Sequence, residues 1–135
     1  MIILSLIVMT GCTQEAKELP EPITVEFYSV KTCAECKAFK KNAIPYLKNR
    51  YKNITIKMYD MDDTKTTSHY DQAIDSLKDF DEEYYGMGPF IYVKGYFALL
   101  GYETDDEKTL AKDIELVSAH KKPGKEFSNR RFIVK

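Results

Sequence analysis

The 135-residue sequence has no tryptophan, three cysteines, two histidines and no apolar run long enough to cross a bilayer as a helix. Without tryptophan, the aromatic part of the core must come from 10 tyrosines and 7 phenylalanines. The net charge of −1 produces no strong field of one sign, so nothing indicates a nucleic-acid partner. The length is enough for one domain with one core.

Three cysteines are an odd number, and the unpaired one needs an explanation. Cys12 follows Gly11 at the end of a short apolar run that starts at Met1. An apolar segment that ends in small residues is typical of a secretory signal peptide. Gly directly before Cys resembles the lipobox of bacterial lipoproteins. The alternatives are an ordinary signal peptide or a buried N-terminal strand.

The lipobox resemblance implies that residues 1–11 are removed as a signal peptide and that Cys12 carries lipid. Residues 12–22 are polar and contain two prolines, which is typical of a tether. We therefore expect a lipoprotein anchored outside the cytoplasm, with the folded domain beginning near Ile23. Residues 123–135 form a basic C-terminal extension that either adds an edge strand or lies loosely against the domain.

Cys33 and Cys36 have C-x-x-C spacing and stand where a predicted strand, Ile23–Tyr28, gives way to a predicted helix from Cys36 to about Tyr51. A helix N-terminus carries partial positive charge and lowers the pKa of a cysteine placed there. One helical turn brings the two sulfurs close enough to form a disulfide. This arrangement suits thiol–disulfide exchange, with Cys33 as the exposed attacking thiol and Cys36 as the buried resolving thiol.

Charged residues around the two cysteines are expected to tune their acidity. Glu35 lies between them and opposes a thiolate, whereas Lys31 and Lys37 favour one. We therefore expect a reducing or intermediate redox poise. Glu26 interrupts the apolar strand, and two interpretations stay open: it lies at a solvent-exposed strand end, or beneath the cysteines as a proton acceptor for Cys36.

The rest of the chain continues the alternation of strand and helix, and Pro45 is expected to kink or split the first helix. The predicted segments are a strand over 54–60, a helix over 68–80, a hairpin of 90–93 and 96–100 joined at 94–95, and a helix over 104–119 capped by Thr104.

This order resembles the thioredoxin family from Ile23 to about His120, within a predicted domain of residues 23–122. The residues that carry the resemblance are Val25-Glu26-Phe27-Tyr28 before Cys33-Ala34-Glu35-Cys36, and Gly88-Pro89 before Phe90-Ile91-Tyr92-Val93. It implies an α/β fold with a central mixed sheet of about four strands and helices on both faces. It also implies a cis Pro89 that faces the dithiol, and a substrate surface at Thr32, Gly88 and Pro89. Thr32 replaces the family's usual tryptophan, and Ala34-Glu35 replaces its usual Gly-Pro.

The sequence therefore predicts a membrane-tethered thiol–disulfide oxidoreductase without a cofactor. Its partners would be disulfide- or thiol-bearing proteins outside the cytoplasm and a separate electron donor or acceptor. The alternatives are a metal-binding module or a protein-interaction module without redox turnover. Structural zinc needs four ligands, and neither histidine has fitting spacing to the cysteine pair.

Overall fold

The computed structural model describes residues 15–135. The predicted signal peptide over 1–11 and the predicted lipidation site at Cys12 lie outside the described residues. Within 15–135, no helix is both long enough and apolar enough to span a bilayer.

The strands of residues 15–135 form one five-stranded mixed sheet in the order β2-β1-β3-β4-β5. They are β1 (Ile23–Ser29), β2 (Ile54–Asp60), β3 (Phe90–Val93), β4 (Phe97–Leu100) and β5 (Arg131–Ile133). The β1–β2 pair is parallel and the other pairs are antiparallel. The sequence predicted about four strands, and the fifth is the edge strand formed by the C-terminal extension.

Four α-helices and three shorter helical segments accompany this sheet in the part of the chain that the structure describes. They are α1 (Ala34–Ala38), a π-helical turn (Phe39–Ala43), α2 (Ile44–Arg50), α3 (Thr67–Asp75), α4 (Asp106–Ser118), and 3-10 turns at Thr64–Thr66 and Glu82–Tyr84. The helix is disrupted near Pro45 as expected, and the disruption is a change of helix type. The wider π-helical turn directly precedes the first turn of α2, which contains the proline. Proline has no N–H to donate to the preceding turn, which makes a regular α-helix unfavourable there.

The side chains of the sheet alternate between two faces, and each face has its own core. On one face, which we call the dithiol face, α1, α2 and α4 pack on Val25, Phe27, Ile91 and Leu99. On the other, which we call the tyrosine face, α3 packs on Tyr28, Phe90, Tyr92 and Ala98. The prediction of helices on both faces of a mixed sheet is therefore confirmed.

The domain begins before Ile23, so the predicted tether boundary is too late. Leu19 is buried in the core of the dithiol face. Its amide N–H donates to Asn53 Oδ1 at 2.8 Å, and its carbonyl accepts from Asn53 Nδ2 at 3.0 Å. This pairing satisfies both backbone groups of Leu19 and keeps the segment against the domain.

Two predicted helix ends differ from the structure, the first because of contacts with distant residues and the second because of a local turn. α3 ends at Asp75 rather than Phe80, since Leu77 bridges to Val134 and the Lys78 N–H donates to the Ile133 carbonyl. α4 begins at Asp106, and Thr104 does not cap it. Asp106 Oδ2 instead accepts from the Glu103 N–H at 2.8 Å.

The C-terminal extension is held against α4 by a buried ion pair. Asp113 Oδ2 lies 3.2 Å from Arg131 Nη1, and Asp113 Oδ1 accepts from the Gly124 N–H at 2.8 Å. Arg131 Nη2 also donates to the Gly124 carbonyl. Burial raises the pKa of Asp113, against the lowering effects of the Gly124 hydrogen bond and Arg131. The extension therefore belongs to the folded unit.

Candidate dithiol site

Cys33 and Cys36 form a disulfide at the start of α1, with their Cα atoms 5.2 Å apart. Cys33 has an extended backbone conformation and is the N-cap of the helix. Its Sγ accepts a hydrogen bond from the Cys36 N–H at 3.0 Å. The Cys33 sulfur therefore satisfies one of the amides that the first helical turn leaves unpaired. The helix begins at Ala34, two residues earlier than predicted.

The two cysteines differ in their access to solvent. Cys36 is only 2% exposed and belongs to the core of the dithiol face. Cys33 is half-buried and packs on the edge of the same core. This asymmetry matches the roles predicted for an attacking and a resolving thiol.

Gly88 lies beside Cys36, and Pro89 follows it at the start of the proline loop. A Cβ atom at Gly88 would lie 3.3 Å from Cys36 Sγ and 3.3 Å from Val30 Cγ2, so a larger residue would press on the sulfur. The Gly88–Pro89 peptide bond is cis. Thr32, the third predicted substrate residue, is exposed in the turn before Cys33.

Glu35 is tied to a loop that the sequence did not connect with the site. Its Oε1 accepts the Tyr102 N–H at 2.9 Å, and the adjacent Gly101 N–H donates to the Pro89 carbonyl at 2.9 Å. Gly101 has a positive φ of 86°, which favours glycine. The loop after β4 thus joins the dithiol helix to the proline loop. A glycine at a strand end was the one signal in the sequence for this position.

Tyr102 anchors the same loop from below. Its ring meets Phe39 edge-on at a centroid distance of 5.5 Å. Its hydroxyl donates to Glu107 Oε2 at 2.6 Å. Burial, followed by this hydrogen bond, raises the pKa of Tyr102 above its ordinary value. Tyr102, the loop partner of Glu35, is therefore anchored in the core and does not depend on α1 for its position.

Glu26 is not brought to the dithiol. It is 5% exposed, so it does not stand at a solvent-exposed strand end, and it points to the tyrosine face because it alternates with Phe27. Its Oε1 accepts from the Tyr28 hydroxyl at 2.7 Å, and Lys94 Nζ lies 4.0 Å from Oε2. Both interpretations of Glu26 from the sequence are therefore wrong.

Lys31 and Lys37 are exposed on either side of the cysteine pair. The Lys31 N–H donates to Asp62 Oδ2 at 3.4 Å, which links the turn before Cys33 to the loop after β2. The Lys37 N–H donates to the Cys33 carbonyl at 3.2 Å within the first helical turn. Neither ammonium group is held in an ion pair with the described residues.

A groove of about 230 Å³ lies between Val30, which precedes the turn to Cys33, and the start of α3. The sequence did not predict it, because its walls come from four separate stretches of chain. Its lining residues are Val30, Met61, Asp62, Thr66, Thr67, Tyr70, Tyr85 and Gly86. Val30 also lies against Gly88, which connects the groove to Cys36.

Within residues 15–135, no three His, Cys, Asp or Glu side chains cluster as a metal site would require. Comparison with known proteins gives no match: no family model, no curated protein and no solved structure is significantly similar to this chain.

Proposed function

We propose that this protein is a thiol–disulfide oxidoreductase of the thioredoxin type, which reduces or exchanges disulfides in other proteins. The observation that carries the proposal is the Cys33–Cys36 disulfide at a helix N-terminus, with Cys33 half-buried and Cys36 in the core. The position of Gly88 against Cys36 Sγ supports a proline loop that faces the dithiol. The mixed sheet with helices on both faces is compatible with a thioredoxin-like fold.

The exchange follows from this asymmetry. In the reduced protein, the Cys33 thiolate attacks one sulfur of a client disulfide, whose S–S bond breaks and releases a client thiolate. Cys36 then loses its proton to solvent and attacks Cys33 Sγ, which forms the internal disulfide and frees the second client sulfur. Two electrons pass from the dithiol to the client. A separate donor must return two electrons to the protein.

We further propose that the protein works outside the cytoplasm, tethered to the bacterial cell membrane through a lipid on Cys12. The support is the apolar run that ends in Gly11-Cys12 and the polar segment behind it. Such a compartment also allows a disulfide to persist. Replacing Cys12 with Ser should release the protein from membranes or leave it unprocessed. Membrane retention with unchanged processing would overturn this assignment.

A redox titration and client trapping test the proposed activity. The protein should reduce a neutral small disulfide, hydroxyethyl disulfide, with dithiothreitol as donor, and a Cys33→Ser variant should not. Equilibration with glutathione should give a potential nearer to about −270 mV than to about −120 mV. A Cys36→Ser variant should accumulate mixed disulfides through Cys33. Zinc bound by the reduced protein, without turnover of the disulfide, would instead support a metal-binding module.

A further inference from the structure

The groove next to the dithiol has aromatic walls that are held in place by hydrogen bonds. The rings of Tyr70 and Tyr85 contact each other at a centroid distance of 4.9 Å and are tilted by 60°. The Tyr70 hydroxyl accepts from the Gly86 N–H at 2.8 Å, and the Tyr85 hydroxyl donates to Asp71 Oδ1. Tyr85 is nevertheless 49% exposed, so one large aromatic surface is open to a partner. These rings are in position before any ligand arrives.

One carboxylate of the groove is linked to the turn that precedes Cys33. Asp62 lines the groove, and one of its oxygens accepts the Lys31 N–H. Its own N–H donates to Asp60 Oδ1 at 2.9 Å, which fixes the loop. An aromatic wall next to a carboxylate is a combination that recognises a guanidinium or an ammonium group, through stacking on the ring and a charge-assisted hydrogen bond.

The charge distribution along the chain favours the same kind of partner. Residues 60–83 contain nine Asp and Glu and only two Lys, whereas residues 31–57 contain eight Lys and Arg and one Glu. The groove is lined from the first of these segments and from Val30, Tyr85 and Gly86. A cationic side chain that approaches the dithiol from this side therefore meets an attractive field, although Lys31 and Lys65 stand nearby.

We propose that the groove selects clients that carry an arginine or lysine close to the reacting cysteine. This inference depends on the proposed oxidoreductase function and names its substrate class. The volume of about 230 Å³ is below the usual range for small-molecule sites and suits one side chain. The client chain would pass Gly88 and Val30, with its sulfur at Cys33 and its basic side chain between Tyr85 and Asp62.

The experiment uses three peptides that each contain a single cysteine. They differ only at the two positions that lie two residues before and two residues after the cysteine, and both positions are Arg, Gln or Glu. Each cysteine is carried as a mixed disulfide with 2-thiopyridine. The Cys33 thiolate of the reduced protein attacks the peptide sulfur, and the bond to thiopyridine breaks as the chromophore leaves. Cys36 then attacks Cys33 and releases the peptide thiol, so the protein's own dithiol supplies both electrons.

We expect the second-order rate constant for chromophore release to follow the order Arg, Gln, Glu, with the Arg peptide about tenfold faster than the Glu peptide at low salt. High salt should reduce the ratio, because part of the attraction is exposed to solvent. Asp62→Asn keeps an acceptor for the Lys31 N–H, and Tyr85→Ala removes the exposed wall. Each should bring the Arg-to-Gln ratio close to one.

The matched control is Asp79→Asn, which removes the same charge from the same acidic segment at an exposed position that does not line the groove. Asp79 has a φ of 58°, which asparagine tolerates well. It should leave the peptide ratios unchanged. Equal losses in Asp62→Asn and Asp79→Asn would show a general field and overturn the groove assignment.

The two proposals fail in different ways. If wild type reduces hydroxyethyl disulfide but treats the three peptides alike, the client selection is wrong and the oxidoreductase function stands. If it reduces neither hydroxyethyl disulfide nor any peptide, the oxidoreductase function is wrong and the selection falls with it.

Discussion

The two faces of the sheet are built from different chemistry. The dithiol face packs phenylalanine, leucine, isoleucine and valine, with Cys36 included in that core. The tyrosine face buries hydroxyls and one carboxylate, and it satisfies them internally: Tyr28 with Glu26, and Tyr92 with Ser76. The contrast shows that β1 keeps its buried carboxylate, Glu26, on the side of the sheet away from the resolving sulfur, whereas the other buried carboxylate, Asp113 on α4, is paired with Arg131.

This separation has a chemical consequence for the dithiol. A charged group buried near a thiol shifts its pKa strongly, whereas an exposed one acts through water. Glu26, the buried carboxylate on β1, faces away from Cys36, and Glu35, the carboxylate next to the sulfurs, is exposed. The redox properties should therefore respond modestly to Glu35 and hardly at all to Glu26. The following four changes test this contrast.

Phe39→Ala should have the largest effect, because this ring is fully buried under the dithiol helix and stacks on Phe27 at 4.6 Å. We expect a loss of about 3–5 kcal/mol in the free energy of unfolding, measured by urea denaturation of the oxidised protein. Phe80→Ala, which removes a half-buried ring of the tyrosine face, is the control and should cost less. An equal cost for both would contradict the ranking of the two cores.

Tyr28→Phe should destabilise the tyrosine face by about 1–3 kcal/mol, since it leaves the buried Glu26 without its hydroxyl donor. Burial raises the pKa of Tyr28 well above its ordinary value, and the hydrogen bond to Glu26 adds to this. The neutral hydroxyl is thus favoured in the folded state. The stability that it contributes is present below pH 10 and is lost as the pH rises further.

Urea denaturation between pH 7 and pH 11 measures both effects, and Tyr28→Phe should lose stability less steeply above pH 10 than wild type. Tyr59→Phe is the matched control, because the Tyr59 ring stacks on Tyr28 but its hydroxyl bonds to no described residue. It should leave stability at neutral pH nearly unchanged. A parallel alkaline slope for wild type and Tyr28→Phe would show that this hydroxyl is not the responsible group.

Glu35→Gln should lower the Cys33 pKa and raise the reduction potential, because it removes a nearby exposed negative charge. The glutamine carbonyl can still accept the Tyr102 N–H, so the loop contact is kept. The pH dependence of Cys33 alkylation in the reduced protein measures the pKa, and glutathione equilibration measures the potential. No change in either quantity would show that Glu35 does not tune the dithiol.

Glu26→Gln should have the smallest effect on the dithiol: no measurable change in Cys33 alkylation or in the potential. The glutamine carbonyl can accept from Tyr28, although the contact with Lys94 is weakened. The same two measurements serve here, with Glu35→Gln as the positive comparison. A shift as large as that of Glu35→Gln would mean that Glu26 reaches the sulfurs in solution.

Local sequence patterns predicted much of the fold and the two sulfurs. The alternation over Ile54–Asp60 marked β2 with the correct ends, and the two apolar runs separated by Gly95 marked a hairpin. The hairpin joint is one residue longer than predicted, with Gly95 at a φ of 87°. The position of Cys33 and Cys36 at a strand-to-helix junction could also be predicted from neighbouring residues alone, because helix capping and C-x-x-C closure are local interactions.

Tertiary structure decided three other features: the side of the sheet on which Glu26 lies, the early end of α3 and the packing of Leu19. Each depends on contacts between residues far apart in the chain: Tyr28 and Lys94 around Glu26, Val134 with Leu77, and Asn53 with Leu19. Periodicity within one segment carries no information about such partners, since they are brought together only when the sheet closes.

By itself, then, the sequence determined an α/β chain with a dithiol at a strand-to-helix junction, because those features follow from local periodicity and capping. Only the tertiary structure decided what surrounds the dithiol. The Gly101–Tyr102 loop on Glu35, the glycine against Cys36 and the tyrosine-walled groove each join segments that are distant in the chain. Packing of the two sheet faces, rather than any local preference, brings them to the sulfurs.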